Sequence, residues 1–149
     1  MSTLPYSNAT SGERAAADIQ RVLRAFGCLK FGVMHDDGAG ELIVQFEYRG
    51  RMASVKASTK GYAAAWLRAT PYSSRMRCTK AQHERKAMEV ASVAVYSILR
   101  DWIKGQITAV ECGVLSFEGA FLGQLLLADG RTVLEHVDQS RLLPAPSAP

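Results

Sequence analysis

The sequence predicts an α+β fold with an N-terminal helix, a three-stranded antiparallel meander, a long amphipathic helix and a short C-terminal hairpin or helix. Three observations predict it: a helical apolar stripe over residues 12–26, strand-like alternation with turn signals over residues 29–58, and a helical apolar seam over residues 80–112. The 149 residues, 48% hydrophobic and 21% charged, have the composition of one globular domain. We therefore expect a single domain over residues 11–140, with disordered segments at 1–10 and 141–149.

The first helix is expected from Gly12 to Phe26. Ser11, directly before it, can accept a hydrogen bond from the free N–H groups of the first turn. Gly27 can end the helix because glycine adopts the left-handed conformation without steric cost. The apolar stripe that would face the core consists of Ile19, Val22, Leu23 and Phe26.

The meander is expected from three short segments and two turns. The first strand is predicted over Leu29–Met34, followed by a turn at Asp36–Gly40. The second strand is predicted over Glu41–Tyr48, where apolar and polar residues alternate. A tight turn at Arg49–Gly50 leads into the third strand, Arg51–Ser58, so the three strands should pair in sequence order.

Two further helices are expected after the sheet. A short helix is predicted over Thr59–Arg68, and Thr79 with Gln82 forms a capping-box pattern that opens the long helix. Gly113 is the expected stop of that helix. Its apolar seam is longer than one small sheet can cover, so part of it either packs on the N-terminal helix and the C-terminal segment or forms a homodimer interface. The seam consists of Met88, Ala91, Val95, Ile98, Trp102 and Ile103.

The segment after Ser116 allows two interpretations. Phe117, Phe121 and the leucines that follow could form a helix. Alternatively, the last leucines form a strand and Asp129–Gly130 turns into a second strand over Arg131–Val137. The sequence alone does not choose between them.

The positive charge is concentrated in one stretch of forty residues. The whole chain has a formal net charge of +4, whereas residues 47–86 carry ten basic groups against two acidic ones. Such a cluster suggests an anionic partner, because Lys and Arg neutralise phosphates and release counterions. The candidate partner-binding residues are Arg49, Arg51, Lys56, Lys60, Arg68, Arg75, Arg77, Lys80, Arg85 and Lys86, together with the aromatic residues Tyr48 and Tyr72.

This cluster has two interpretations. In the first, the third strand and the loop with Arg75 and Arg77 form a groove for a single strand, in which exposed aromatic rings stack on bases. In the second, the charges form a solvated face while Tyr62 and Trp66 lie in the core.

No catalytic pattern is found in the sequence. Asp36, Asp37 and Glu41 form an acidic cluster that could hold Mg²⁺, but the pattern of a metal-dependent nuclease is incomplete and an acidic turn accounts for it. His83 has no second histidine four residues on, and we expect it to be exposed on the long helix. The glycines form neither a phosphate-binding loop nor a dinucleotide fingerprint. We therefore expect a protein that is not an enzyme and that has no metal site and no cofactor.

The cysteines and the N-terminus indicate the compartment. Cys28, Cys78 and Cys112 are odd in number and widely spaced, which favours reduced thiols over a disulfide framework. The first twenty residues lack the basic and apolar regions of a secretion signal, and no apolar run is long enough to span a bilayer. These features predict a soluble, cytoplasmic protein with no membrane partner.

Several stretches resemble a group of small, uncharacterised phage and prophage proteins. The resemblance covers about residues 46–137 and is carried by Lys60–Ala64, His83–Ala87, Leu99–Lys104 and Phe121–Val133. It implies a viral or mobile-element origin and a role inside a bacterial host cell during infection. It supplies no catalytic residues.

These observations lead to three ranked hypotheses. The first is a non-enzymatic phage accessory protein that binds nucleic acid or a host nucleoprotein complex through residues 49–86. The second is an inhibitor of a host defence system, similar to an anti-CRISPR protein, that binds a host protein complex. The weakest is a metal-dependent nuclease that uses Asp36, Asp37, Glu41 or Glu47.

Overall fold

The chain has an α+β fold, with a three-stranded antiparallel sheet and five α-helices among residues 4–148, which are the residues that the computed structural model describes. One 3-10 turn, Leu122–Gln124, follows the fourth helix directly. The predicted order of helix, meander and long helix is confirmed. The elements in chain order are α1 (Gly12–Phe26), β1 (Lys30–Asp36), β2 (Glu41–Tyr48), β3 (Arg51–Ser58), α2 (Thr59–Ala69), α3 (Lys80–Glu111), α4 (Phe117–Phe121) and α5 (Val133–Gln139).

The ends of α1 lie where the sequence places them. The Ser11 hydroxyl accepts a hydrogen bond from the Arg14 N–H at 3.1 Å, which satisfies one free donor of the first turn. Gly27 ends the helix in the left-handed conformation, with φ of +108°. Ile19 and Leu23 are fully buried, so the predicted stripe faces the core.

The sheet is a simple meander with the order β1–β2–β3. β1 extends two residues beyond its predicted end at Met34, to Asp36. Arg49 and Gly50, the only residues between β2 and β3, both have positive φ, +49° and +79°. Positive φ at both positions gives the backbone twist that joins adjacent antiparallel strands by two residues. The register therefore follows from the turn that the sequence predicts.

The two faces of the sheet differ in what covers them. Leu42, Val44 and Phe46 of β2 are fully buried on the face toward α1 and α3, which we call the core face. Residues at alternate positions, such as Met34 in β1 and Ile43 in β2, point to the opposite face, which we call the outer face.

The apolar seam of α3 is divided between two clusters. Its later residues, including Val95 and Ile103, pack in the main core, whereas Ala91 packs with α2 in a smaller cluster. Met88 and Trp102 are each 37% exposed, and the Trp102 ring meets the Phe121 ring edge-on at 5.7 Å. A homodimer through this helix stays a prediction.

α2 and α3 form an antiparallel helical hairpin. Ala63 of α2 packs against Ala87 and Ala91 of α3, and such small side chains let two helices approach closely. Trp66, one turn later in α2, contacts His83, one turn earlier in α3, which shows the antiparallel direction. The hairpin therefore places the end of α2 beside the start of α3.

The C-terminal segment is a mixture of short elements. A second strand over Arg131–Val137 is not formed: α5 begins at Val133, and the strand-like pairing is limited to single bridges, Ala53 with Leu125 and Leu126 with Thr132. The Thr132 hydroxyl accepts a hydrogen bond from the Glu135 N–H at 3.1 Å, so helix capping takes over directly after the bridge.

The chain ends are only partly covered by the residues that the structure describes. The disorder predicted for 1–10 and 141–149 falls partly on residues 1–3 and 149, which lie outside them. Within the described part, the Tyr6 hydroxyl donates to the Asp101 carboxylate at 2.5 Å, and the Tyr62 hydroxyl donates to the Pro5 carbonyl at 2.6 Å. No helix within residues 4–148 combines the length and apolar character needed to cross a membrane.

Candidate nucleic-acid interface

The predicted basic residues are spread over the structure, and Arg49 with Arg51 lies at the opposite end of α3 from the loop residues. Arg49 and Arg51 line a cavity together with Val110, near the C-terminal end of that helix. Lys80 opens the helix thirty residues earlier, about 45 Å away at the rise of an α-helix. The structure therefore does not join the strand residues and the loop residues into one groove.

The cations of β3 are occupied by carboxylates from the C-terminal segment. The Arg51 guanidinium lies 2.8 Å from the Glu118 carboxylate, and the Lys56 ammonium lies 2.8 Å from the Glu135 carboxylate. The hydrogen bond from Lys56 holds the pKa of Glu135 below its ordinary value, because it stabilises the ionised carboxylate. These two ion pairs join β3 to α4 and α5.

The Tyr48 ring is covered by other aromatic rings. It stacks on Phe26 at 4.2 Å between centroids, and Phe117 lies 4.8 Å away on a tilted plane. The Arg49 guanidinium lies 5.2 Å from the centre of the same ring. Tyr48 thus packs at the junction of α1, β2 and α4, and Arg49 remains as an exposed cation beside it.

Lys60 lies against the acidic turn between β1 and β2. Gly40 in that turn has φ of +68°, and a Cβ atom there would clash with the Lys60 side chain. The Lys60 ammonium is 3.4 Å from the Gly38 carbonyl, and the Asp36 carboxylate accepts the Ala39 N–H at 2.9 Å. Lys60 therefore covers this turn and does not face the end of the hairpin.

The acidic turn does not assemble a metal-ligand cluster of the kind the nuclease hypothesis requires. Within residues 4–148, no three His, Cys, Asp or Glu side chains are grouped closely enough to hold a metal ion together. Asp36 and Glu41 lie opposite each other where β1 and β2 pair, but the three carboxylates do not form one group with Asp37.

Six of the predicted basic residues surround the free end of the α2–α3 hairpin, and we call this set the basic corner. All six side chains are exposed, and no ion pair to a carboxylate involves any of them in the described part of the chain. Glu84 is the single acidic residue in the nineteen-residue stretch that holds them. The basic corner consists of Arg68, Arg75, Arg77, Lys80, Arg85 and Lys86.

The loop between α2 and α3 is held by hydrogen bonds at both of its ends. The Tyr72 hydroxyl donates to the Cys78 carbonyl at 3.0 Å, and the Met76 N–H donates to the Ser73 carbonyl at 3.0 Å. Thr79 completes a reciprocal capping box with Gln82 at the start of α3, as predicted. Arg75 and Arg77 thus project from a loop whose backbone is tied down.

His83 is the residue that the sequence analysis misplaced. It was expected on the exposed face of α3, but its side chain is buried at 4% exposure. One ring nitrogen, Nε2, lies 2.7 Å from the Thr70 carbonyl, and the ring contacts Trp66 at 5.0 Å and Tyr72 at 5.9 Å between centroids. Because a carbonyl only accepts, Nε2 must carry the proton. His83 therefore fastens the loop to α3.

The electrostatic environment of the basic corner favours anions. The first turn of α3 contains no acidic residue, so the positive end of the helix dipole adds to the side-chain charges. Tyr72 lies beside the loop cations and is 37% exposed, so part of its ring is accessible. Trp66 is half-buried and packs on His83. The arrangement can bind phosphate groups and offers one partly exposed ring for stacking.

Comparison with known proteins gives no relative. No protein-family model, no curated protein and no solved structure matches this chain.

Proposed function

We propose that this chain is a non-enzymatic accessory protein that binds nucleic acid, either free or within a nucleoprotein complex, through the basic corner. One observation carries the proposal. Six exposed cations lie around one end of a helical hairpin without carboxylate partners among the described residues, whereas Arg51 and Lys56 are both paired. Because the nineteen residues 68–86 hold these six cations and one carboxylate, their positive charge is not neutralised locally and attracts anions such as phosphates.

The loop architecture supports the same proposal. Arg75 and Arg77 lie on a backbone that Tyr72 and His83 hold in place, so little backbone entropy is lost when they meet a ligand. Contacts to phosphates position a protein on nucleic acid without reading its sequence. We therefore propose binding with little sequence preference, with Tyr72 adding a stacking contact to an unpaired base.

The test is a binding titration with two matched double variants. Arg75→Ala/Arg77→Ala removes two cations from the basic corner, and Arg51→Ala/Lys56→Ala removes two cations that already have partners. Both changes lower the net charge by the same amount, so a general effect of charge would affect them equally. Fluorescence anisotropy with labelled single-stranded DNA, duplex DNA and RNA should show clearly weaker binding for the first variant and near-unchanged binding for the second. Equal losses, or no binding by the unmodified chain, would contradict the proposal.

The resemblance to phage proteins supports a role during infection and leaves a protein partner as the alternative. An inhibitor of a host defence complex could use the same cations to contact an acidic protein surface or bound nucleic acid. Affinity capture from nuclease-treated host lysate separates the two cases. A stoichiometric host protein that is retained after nuclease treatment and lost with Arg75→Ala/Arg77→Ala would favour the inhibitor.

A further inference from the structure

β1 is an open edge of the sheet. It pairs with β2 over all seven of its residues, and no strand or bridge within residues 4–148 pairs with its other side. The opposite edge is different, because Leu125 bridges Ala53 and the Leu126 N–H donates to the Met52 carbonyl at 2.8 Å. An open edge presents unpaired N–H and C=O groups that can hydrogen bond to another strand.

The β1 edge lacks the features that usually protect such a strand. Its sequence, Lys-Phe-Gly-Val-Met-His-Asp, contains no proline, and its register with β2 is continuous without a bulge. Its charges lie only at the two ends, Lys30 and Asp36, while Met34 is 54% exposed. The middle of the strand is therefore free to pair.

The order of residues in β1 is complementary to itself when the strand is reversed. We propose that two copies of this chain pair through β1, antiparallel about a two-fold axis at Val33, to form a continuous six-stranded sheet. In this register Lys30 of each copy lies opposite Asp36 of the other, so the pairing has an ion pair at each end. A symmetric interface of this kind uses the same contact twice.

The faces of the strand agree with this register. A two-fold axis perpendicular to the sheet keeps each face on its own side, so only residues of the same face can lie opposite each other. Lys30 and Asp36 both point to the outer face, whereas Phe31 and His35 both point to the core face. Phe31 would therefore meet the imidazole of His35 from the second copy.

A groove on the outer face fits the same pairing. Gly32 has no side chain, and an added Cβ atom would meet nothing within 4 Å. It lies in an apolar groove of about 270 Å³, which Met34, Ile43 and Met52 also line. In the proposed register Met34 of the second copy lies opposite Gly32, so its flexible side chain can fill this space.

Neighbouring symmetric registers are less favourable. An axis at Gly32 pairs five residues of β1 and places Lys30 opposite Met34, while an axis at Met34 places Asp36 opposite Gly32. Both lose the two ion pairs. Lys30 is 3.4 Å from Glu47 of its own chain, yet its side chain is 76% exposed, so it can also reach a second carboxylate.

Sedimentation of the full chain without nucleic acid tests the proposal separately from the proposed function. We expect a monomer–dimer equilibrium. Met34→Lys should weaken dimerisation at least about tenfold. In the proposed register each introduced ammonium lies diagonally across the interface from two like charges, Lys30 of the second copy and the ammonium that the second copy carries at position 34. Lys30→Glu should weaken it similarly, and Lys30→Glu/Asp36→Lys should recover most of the loss. The control is Lys104→Glu, the same charge change at an exposed site on α3.

Several results would overturn the pairing. The first is a monomer at all concentrations up to about 1 mM, where even a dimer with a millimolar Kd would be half formed. The second is a dimer that Met34→Lys does not weaken. The third is a dimer that Lys104→Glu abolishes, which would indicate an interface on the long helix.

A disulfide test fixes the register, in chains that carry Cys78→Ser and Cys112→Ser. Gly32→Cys and Met34→Cys should cross-link when mixed and not when separate, because opposite Cα atoms lie close enough for a disulfide. No cross-link in the mixture would contradict the register.

Discussion

Replacing His83 with alanine tests whether the loop that carries Arg75 and Arg77 is fastened to α3. The buried imidazole donates from Nε2 to the Thr70 carbonyl at 2.7 Å and packs on Trp66. We expect His83→Ala to lower the free energy of unfolding by about 2 kcal/mol, about half from the hydrogen bond and half from the lost packing.

The assay is urea unfolding followed by tryptophan fluorescence, with His83→Gln as the matched variant. A glutamine amide can place a donor near the former Nε2 position but cannot replace the ring contacts. It should therefore recover part of the loss. His83→Ala should also weaken nucleic-acid binding, because the loop cations would no longer be held in place. An unfolding free energy within about 0.5 kcal/mol of the unmodified chain, the size of an ordinary surface change, would refute this reasoning.

Three further predictions concern Cys28 and Gly40. Burial raises the pKa of the Cys28 thiol to about 11. Cys28 should therefore resist thiol reagents at pH 8 while the exposed Cys112 reacts. Rapid reaction of both thiols would contradict the burial of Cys28. The raised pKa also means that stability should fall as the pH rises from 9 toward 11, since only the unfolded thiol ionises readily there. Gly40→Ala should destabilise the fold more than Gly50→Ala. Both glycines have positive φ, but only at Gly40 would the added Cβ atom collide with Lys60. Equal losses in the free energy of unfolding, measured in urea, would refute this difference.

The elements that the sequence predicted well are those with local signals. Ser11 and Thr79 accept hydrogen bonds from the helix starts that follow them, and Gly27 and Arg49–Gly50 have the positive φ that their turns require. These signals need only neighbours within a few residues. The long helix likewise follows from a periodic pattern and a capping box.

The sequence does not determine the conformation of the C-terminal segment, because its short elements depend on distant partners. Phe121 packs edge-on against Phe46 of β2, and the Leu126 N–H bonds to the Met52 carbonyl of β3. A five-residue helix and isolated bridges carry too little periodicity to identify from the sequence.

The candidate site was only partly visible in the sequence for the same reason. The concentration of charge over residues 47–86 could be counted, but the partners of Arg51 and Lys56 are Glu118 and Glu135, more than sixty residues away. The burial of His83 depends on Trp66 and Tyr72, which only the hairpin brings beside it. Ion pairing thus removes Arg51 and Lys56 from the ten candidate cations, Lys60 lies against the Gly38 carbonyl, and Arg49 lies apart beside Tyr48, which leaves the six of the basic corner.

The dependence of binding on salt tests the central claim most directly. If all six cations of the basic corner contact phosphates, log K for a single strand should fall with log salt concentration at a slope of about −4. Arg75→Ala/Arg77→Ala should reduce that slope by about 1.4, whereas Arg51→Ala/Lys56→Ala should leave it unchanged. A slope near zero for the unmodified chain, or the same slope in the loop variant, would contradict a phosphate-binding basic corner.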